Sequence, residues 1–194
     1  MTFSLPSSQL KIGTRGSPLA LVQAAETRAR LMEAWGWPEE AFELVVIQTS
    51  GDRIQDRSLR LVGGKGLFTR EIEDQLLEGC IDIAVHSMKD MPTNQPEGLV
   101  LDTFLPREDV RDAFISPSAG TIDALAKGAR VGTSSLRRRA QLLHVRPDLE
   151  VIEFRGNVQT RLKKLSDGLA CATFLAMAGL NRLNMSHITT IEIA

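Results

Sequence analysis

The sequence predicts an α/β fold made of two lobes, each with a parallel or mixed sheet flanked by helices. Short apolar segments with strand character alternate with segments of helical periodicity along the chain, a pattern typical of sheets that helices cover on both faces. The stretch Leu105–Asp109 contains a proline and three charged residues and resembles a linker. We therefore expect lobes at residues 1–104 and 105–194, with a ligand cleft between them.

The first lobe begins with strand Leu10–Thr14. Ser17 can cap the helix that follows, which has Pro18 at its first position and ends near Gly36. A later glycine loop, Gly63-Gly64-Lys65-Gly66, either closes over a ligand or is a loop without one. The other predicted elements are strand Glu43–Gln48, helix Phe68–Glu78, strand Asp82–Val85 and strand Leu99–Phe104.

The second lobe begins with strand Asp112–Ser116 and ends with strand Cys171–Leu175 and a helix near 176–183. Between them lies a basic segment, residues 130–164, which holds nine Lys and Arg against three Asp and Glu. Its net charge is therefore +6 in a chain whose total is −1. A positive field concentrated on one part of an acidic remainder predicts an anionic ligand.

The first half of the basic segment is a strand, a turn and a helix. Ser134-Ser135 follows the strand Arg130–Thr133 and can cap a helix whose first turn contains Arg137–Arg139. Basic side chains in a first turn oppose the helix dipole, which favours negative charge at that end. An anion bound at the free backbone N–H groups would relieve this conflict.

The second half repeats the unit. Strand Glu150–Phe154 leads into Arg155, and Arg161 lies one helical turn beyond Asn157. Ligands of open α/β sheets bind at the carboxyl ends of strands, which favours an anion site at these arginines. A basic helix face exposed to solvent is the alternative interpretation.

Composition excludes several other classes of protein. The sequence has no signal peptide and no apolar run long enough to span a bilayer, so we expect a cytoplasmic protein without a membrane partner. Cys80 and Cys171 lack metal-ligand spacing and have apolar neighbours, which predicts buried free thiols and no metal site. Aromatic content of only 5% argues against a nucleic-acid partner.

One acid has the pattern of a catalytic residue. Asp90 follows Lys89 directly after a predicted strand end, and a carboxylate among cations can stabilise developing positive charge or transfer a proton. A surface Lys–Asp turn is the alternative. His86, at the same strand end, is more typical of a structural histidine, whereas Arg15 and Ser17 lie at the first strand–helix junction, again on the ligand-facing edge.

Five motifs follow one another in a specific order. They are TRGSPLA at 14–20, VGGKGLF at 62–68, HSMKDMP at 86–92, VGTSSLRR at 131–138 and RGNVQTR at 155–161. Through these motifs, residues 10–185 closely resemble the porphobilinogen deaminase family, also called hydroxymethylbilane synthases. The resemblance implies a two-lobe architecture like that of periplasmic binding proteins.

The resemblance also implies a reaction. The family joins four porphobilinogen molecules head to tail, releases ammonia each time, and frees the linear tetrapyrrole hydroxymethylbilane with water, in heme and porphyrin biosynthesis. Each pyrrole carries an acetate and a propionate, which explains the need for many cations. A dipyrromethane cofactor, made from two substrate units, primes the chain.

Family positions assign a role to each matching residue. Asp90 matches the catalytic aspartate, which would assist ammonia loss and stabilise the azafulvene cation. The cofactor-holding positions correspond to Lys89, Asp90, Thr133, Ser134, Ser135, Arg137 and Arg138. The positions that bind the incoming pyrrole or the growing chain correspond to Arg15, Ser17, Lys65, Arg155 and Arg161.

The chain departs from the family pattern in three respects. The family attaches its cofactor to a cysteine in a third domain and returns to the first lobe through a glycine-rich segment, and both lie beyond Ala194. We therefore expect a part of a longer, monomeric enzyme, inactive alone, without a covalent cofactor and with an exposed sheet edge that lowers stability. Some members also have lysine at Leu61 and aspartate at Cys171.

Two rival functions remain open at this stage. A two-lobe binding protein for a small carboxylate would share the architecture, but it has little use for Asp90 among cations. A nucleic-acid protein that uses the basic segment would show steep salt dependence and base-stacking aromatic residues.

Overall fold

The strands and helices are those of a computed structural model that describes residues 8–53 and 66–194. The chain divides into two compact units between Pro106 and Arg107. The strands of the first unit are β1 Leu10–Thr14, β2 Phe42–Val46 and β3 Ile83–Ala84. They form a parallel sheet in the order β2-β1-β3. Its helices are α1 Pro18–Trp35, α2 Ser50–Arg53 and α3 Arg70–Leu77, with short 3₁₀ turns at Glu39–Ala41 and Met88–Asp90.

Helix α1 begins and ends where the sequence predicts. The Ser17 hydroxyl accepts a hydrogen bond from the Ala20 N–H (3.3 Å), and Gly36 ends the helix with φ 68°. Only glycine adopts this left-handed conformation without strain. The apolar face of α1 packs on β1 and β2, with Ile12 completely buried in the core between them.

The second unit contains a mixed five-stranded sheet. Its strands are β4 Asp112–Ile115, β5 Arg130–Gly132, β6 Glu150–Ile152, β7 Ala172–Ala176 and β8 Ile191–Ile193. They lie in the order β6-β5-β7-β4-β8, with β4 antiparallel to both neighbours. Its helices are α4 Leu136–Val145, α5 Val158–Ser166 and α6 Met177–Arg182, with a 3₁₀ turn at Ser186–Ile188.

The sheet of the second unit is apolar on both faces. Phe114 pairs with Phe174 across β4 and β7 and packs on one face, whereas Ala113 and Leu175, one residue away, pack on the other. Successive side chains of a strand point to opposite faces, so two apolar cores require continuously apolar strands. The buried strands β4 and β7 therefore lie next to each other in the interior of the sheet, between β5 and β8.

One predicted strand is wrong. Residues 99–104 have no strand structure, and Val100 and Phe104 are 83% and 63% exposed. The largely apolar stretch favoured a strand, but a strand also needs a hydrogen-bonded neighbour, and β1–β3 are the strands described in this unit. Conversely, β8 and the short helix α2 were not predicted.

The prediction of buried thiols is also wrong. Cys80 and Cys171 are both free and exposed. Ala170 and Ala172, on either side of Cys171, are buried, so the alternation of an extended chain turns the cysteine outward. Among the described residues, no helix combines the length and the apolar character needed to cross a membrane.

Candidate active site

The first group of candidate residues lies at one edge of the parallel sheet. Arg15 follows β1, and the turn that contains Asp90 follows the neighbouring strand β3. The carboxyl ends of adjacent parallel strands meet at the same sheet edge. As a result, Arg15 Nη1 lies 3.9 Å from Asp90 Oδ2, and both side chains are partly exposed.

Arg15 is also paired with an acid that the sequence analysis did not select. Its Nε donates hydrogen bonds to both carboxylate oxygens of Asp52 at 3.2 Å, and its Nη2 donates to Oδ1. Asp52 in turn accepts a hydrogen bond from the Thr49 hydroxyl (2.8 Å). Burial raises the pKa of Asp52, but the hydrogen bonds from Arg15 and Thr49 outweigh it, so the pKa lies below the usual aspartate value.

An aromatic ring completes the surroundings of Arg15. The guanidinium carbon lies 4.2 Å from the centre of the Phe68 ring, a cation–π contact. Gly51 allows this arrangement, because a Cβ there would lie 2.3 Å from the same ring. The sequence carried one signal for Asp52: it lies in the loop that follows the predicted strand Glu43–Gln48.

The remaining candidates of this unit have more local roles. Burial lowers the pKa of His86, Arg15 lowers it further, and Asp90 only partly opposes them, so the imidazole is neutral at pH 7. Lys89 is exposed in the same 3₁₀ turn as Asp90. Ser17 is the N-cap of α1. Lys65 lies outside the described residues.

The second group lies at the start of helix α4. Arg138 donates to both carboxylate oxygens of Asp112, at 3.2 and 2.7 Å, and to the Phe174 carbonyl (2.8 Å). Arg137 donates to the same carboxylate at 2.7 Å. Burial raises the pKa of Asp112, but its hydrogen bonds with Arg138 and Arg137 lower it below the usual aspartate value. The conflict between these arginines and the helix dipole is thus partly relieved by the protein's own Asp112 rather than only by a ligand.

Three hydroxyls line the turn between β5 and α4. The Ser134 Oγ accepts a hydrogen bond from the Phe154 N–H (2.9 Å), and Ser135 caps α4 by accepting from the Arg138 N–H (3.4 Å). Thr133 accepts from the Ser135 N–H (3.2 Å). Each oxygen therefore serves as an acceptor within the protein, and its own hydrogen is left to donate. Such donors suit a carboxylate ligand.

The third group follows β6. Arg161 lies on α5, and its Nε donates to the Gly156 carbonyl at 2.9 Å. Burial lowers the pKa of Arg161, and the charges of Arg138 and Arg155 lower it further. These guanidiniums are therefore close enough to repel one another. Gly156 has φ 118°, and a Cβ there would lie 2.5 Å from the Thr160 side chain, so only glycine fits this turn.

Several guanidiniums of the second unit lie near one another. Arg137 and Arg138 share the carboxylate of Asp112, and the charges of Arg138 and Arg155 act on Arg161. Partly buried like charges are stabilised by a ligand of opposite sign. In the described parts of the chain, no group of three or more acidic, histidine or cysteine side chains could hold a metal ion.

Comparison with known structures confirms the fold class. A periplasmic substrate-binding protein of an ABC transporter from Coxiella burnetii is similar with a TM-score of 0.54 and 10% identity, covering 96% of this chain and 79% of its own. A candidate methionine-binding lipoprotein of Bacillus subtilis has a TM-score of 0.50 and 12% identity, covering 96% and 78%. At such low identity the likeness concerns the fold alone.

Comparison of sequences identifies the family. The family model described as "Porphobilinogen deaminase, dipyromethane cofactor binding domain" matches residues 10–194. A curated porphobilinogen deaminase of Paracoccus denitrificans (strain Pd 1222) is 68% identical over 183 residues, which cover 94% of this chain. The chain spans 58% of the length of that relative. It therefore belongs to the porphobilinogen deaminase family, of which it contains the dipyrromethane cofactor-binding domain.

Proposed function

We propose that this chain contributes the catalytic aspartate and the anion-binding arginines of a porphobilinogen deaminase. The enzyme would join four porphobilinogen molecules head to tail, with release of ammonia, to give hydroxymethylbilane. The observation that carries the proposal is the coupled group of arginines around Arg161, whose pKa is lowered by burial and by the charges of Arg138 and Arg155. Such a group needs an anionic ligand, and porphobilinogen carries two carboxylates.

The residues of the second unit fit the family's cofactor. A dipyrromethane built from two porphobilinogen units carries four carboxylates, and the second unit offers a group of neighbouring arginines and three hydroxyl donors. We propose that it is held by Thr133, Ser134, Ser135, Arg137 and Arg138. Lys89 and Asp90 of the first unit are further candidates from the family positions. When bound, the cofactor supplies the pyrrole terminus to which the first substrate is joined.

Asp90 is the proposed catalytic residue. As ammonia leaves the aminomethyl carbon of porphobilinogen, the electron pair of the pyrrole nitrogen is drawn into the ring and positive charge develops there. A carboxylate next to that nitrogen stabilises the charge more in the transition state than in the ground state, which lowers the barrier. Asp90 is suited to this role because the ion pair with Arg15 sets its position and its side chain remains partly exposed.

The substrate's own carboxylates require separate cations. Arg155 and Arg161 follow the second strand end, and we propose that they bind the acetate and propionate of the incoming pyrrole or of the growing chain. Arg15, Ser17 and Lys65 are further candidates from the family positions. For Arg15 the pairing with Asp52 leaves only part of the guanidinium available.

Incubation with porphobilinogen tests the proposal. We expect a protein that contains this chain at the full length of its relatives to release ammonia and to form a linear tetrapyrrole, which becomes a coloured porphyrin after cyclisation and oxidation. Binding of porphobilinogen without ammonia release would instead support a carboxylate-binding protein. A matched control is Arg139→Gln, which removes an exposed charge of α4 next to Arg138 and should leave turnover unchanged.

A further inference from the structure

We infer that Asp52 is a positioning residue for Asp90 and that it acts through Arg15, an inference that rests on the proposed function. Family positions assign Arg15 to substrate binding and give Asp52 no role. The contacts around Arg15 indicate a different role, in which Arg15 is a fixed link between the carboxylates of Asp52 and Asp90.

Two neighbours hold Arg15. Asp52 engages its Nε and Nη2, and the Phe68 ring covers one face of the guanidinium at 4.2 Å. The remaining terminal nitrogen, Nη1, is the one that lies 3.9 Å from Asp90 Oδ2. A planar guanidinium that is paired along one edge has a fixed orientation, so its last edge points in a defined direction.

Asp52 is itself fixed by the fold. Thr49, which is completely buried, donates its hydroxyl hydrogen to Asp52 Oδ2 at 2.8 Å, and the Asp52 N–H donates to the Thr49 carbonyl at 3.1 Å. The neighbouring Gly51 is packed against Phe68, and its N–H donates to the Leu67 carbonyl. The short helix α2 and the turn before α3 therefore hold both Asp52 and Phe68 around Arg15.

The arrangement has a consequence for the role of Arg15. A two-pronged grip on a substrate carboxylate uses either the Nε/Nη2 edge or the Nη1/Nη2 edge of the guanidinium, and Asp52 already occupies the Nε/Nη2 edge. The Nη1 edge is directed at Asp90. We therefore expect loss of Asp52 to release Arg15 and misplace Asp90, which slows chemistry rather than weakening substrate binding.

Steady-state kinetics of the cofactor-loaded, full-length protein test this inference. Asp52→Asn should lower kcat about ten- to a hundredfold, the range expected when a catalytic group is misplaced, while KM for porphobilinogen changes little. Asp52→Glu, which keeps the carboxylate, should recover part of the loss. The matched control is Asp148→Asn, which removes a similar two-pronged pair, with Arg146, away from the site and should leave kcat unchanged.

A second measurement does not depend on turnover. The Nε–Hε proton of Arg15, followed by nuclear magnetic resonance, should exchange slowly in the unmodified protein, rapidly in Asp52→Asn and slowly in Asp90→Asn. A raised KM with unchanged kcat, or unchanged exchange in Asp52→Asn, would overturn the inference. If Asp52→Asn did not fold, Thr49→Val, which removes the hydroxyl that holds Asp52, should show the same pattern in weaker form.

The two proposals fail in different ways. Absence of ammonia release from the unmodified protein would contradict the proposed function. The exchange rate of the Arg15 Nε–Hε proton would still show whether Asp52 holds Arg15. If the unmodified protein turned over porphobilinogen normally and Asp52→Asn had the same kcat, the proposed function would stand. Asp52 would then not be a positioning residue.

Discussion

Arg138 forms a two-pronged ion pair with Asp112, and the two side chains are only 10% and 11% exposed. Asp112 opens strand β4 and Arg138 lies in the first turn of α4, so the pair joins two elements that are 26 residues apart in sequence. The same carboxylate accepts a hydrogen bond from Arg137. One buried acid thus fixes two of the arginines that are proposed to hold the cofactor.

Removal of this acid should destabilise the second unit. In Asp112→Asn the charge of Arg138 stays buried without its partner, which costs about 3–5 kcal/mol of unfolding free energy. The double variant Asp112→Ala with Arg138→Met should recover much of the loss, because no charge remains buried. Urea unfolding measures the free energy of unfolding of Asp112→Asn and of the double variant.

A surface pair supplies the control for Asp112. Asp167 pairs with Lys163 one turn apart, and their side chains are 44% and 72% exposed. Asp167→Asn should cost less than about 1 kcal/mol. If Asp112→Asn were as mild as Asp167→Asn, the pair would not be the anchor of Arg138.

Arg161 should matter for binding and not for folding. Its positive charge is disfavoured by burial and by Arg138 and Arg155, whereas Gln at this position keeps an N–H donor for the Gly156 carbonyl. We expect Arg161→Gln to leave the melting temperature of the ligand-free protein unchanged or higher. Its affinity for porphobilinogen should fall about ten- to a hundredfold, the loss expected for a hydrogen bond to a charged group.

Calorimetric titration measures the affinity of Arg161→Gln for porphobilinogen, and thermal melting measures its stability without ligand. Arg139→Gln, an exposed change on α4, should alter neither. A lower melting temperature with unchanged affinity would show that Arg161 is a structural residue.

Gly132 should be intolerant of any side chain. It ends β5, its backbone is ordinary, and an added Cβ would lie 2.3 Å from the completely buried ring of Phe154. Gly132→Ala must therefore displace Phe154, the residue before Arg155, at a cost of about 1–3 kcal/mol. Gly120→Ala is the matched control, because a Cβ there meets nothing within 4 Å and φ is not positive. Equal melting temperatures for the two variants would contradict the close contact.

Protonation of His86 should destabilise the first unit in mild acid. Its pKa in the folded protein is lowered from the usual 6.5, first by burial and then by Arg15. The unfolded chain therefore binds this proton more readily, so the stabilisation is complete above pH 6.5 and is lost as the pH falls towards the lowered value. The free energy of unfolding should decline as the pH falls below about 6.5, and His86→Gln should flatten that decline. An unchanged slope in His86→Gln would exclude this histidine as the cause.

Local patterns predicted the parts of the site that depend on neighbouring residues. Ser17 and Ser135 cap their helices as expected, because a cap joins residues three positions apart. The two acids that hold the arginines were missed, because each pairs with a distant residue: Asp52 is 37 positions from Arg15. Sequence periodicity indicates which residues face a core, but it does not show which side chains meet at a sheet edge.

The same limit explains the errors in the fold. Residues 99–104 are largely apolar, as many strands are, yet apolar character does not supply the neighbour to which a strand must hydrogen-bond. Cys171 has buried neighbours and is itself exposed, because its own side chain points to the other side of the extended chain. The family motifs, by contrast, could be identified from sequence because each is local.

The most direct test of the central claim compares Asp90→Asn with the unmodified, cofactor-loaded, full-length protein in a single-turnover reaction with porphobilinogen. We predict that ammonia release falls by a factor of at least about a hundred, the loss expected when an electrostatic stabiliser of the transition state is removed. The affinity for porphobilinogen should stay within about threefold, because the arginines are untouched. Ammonia release at the normal rate by Asp90→Asn would contradict the claim.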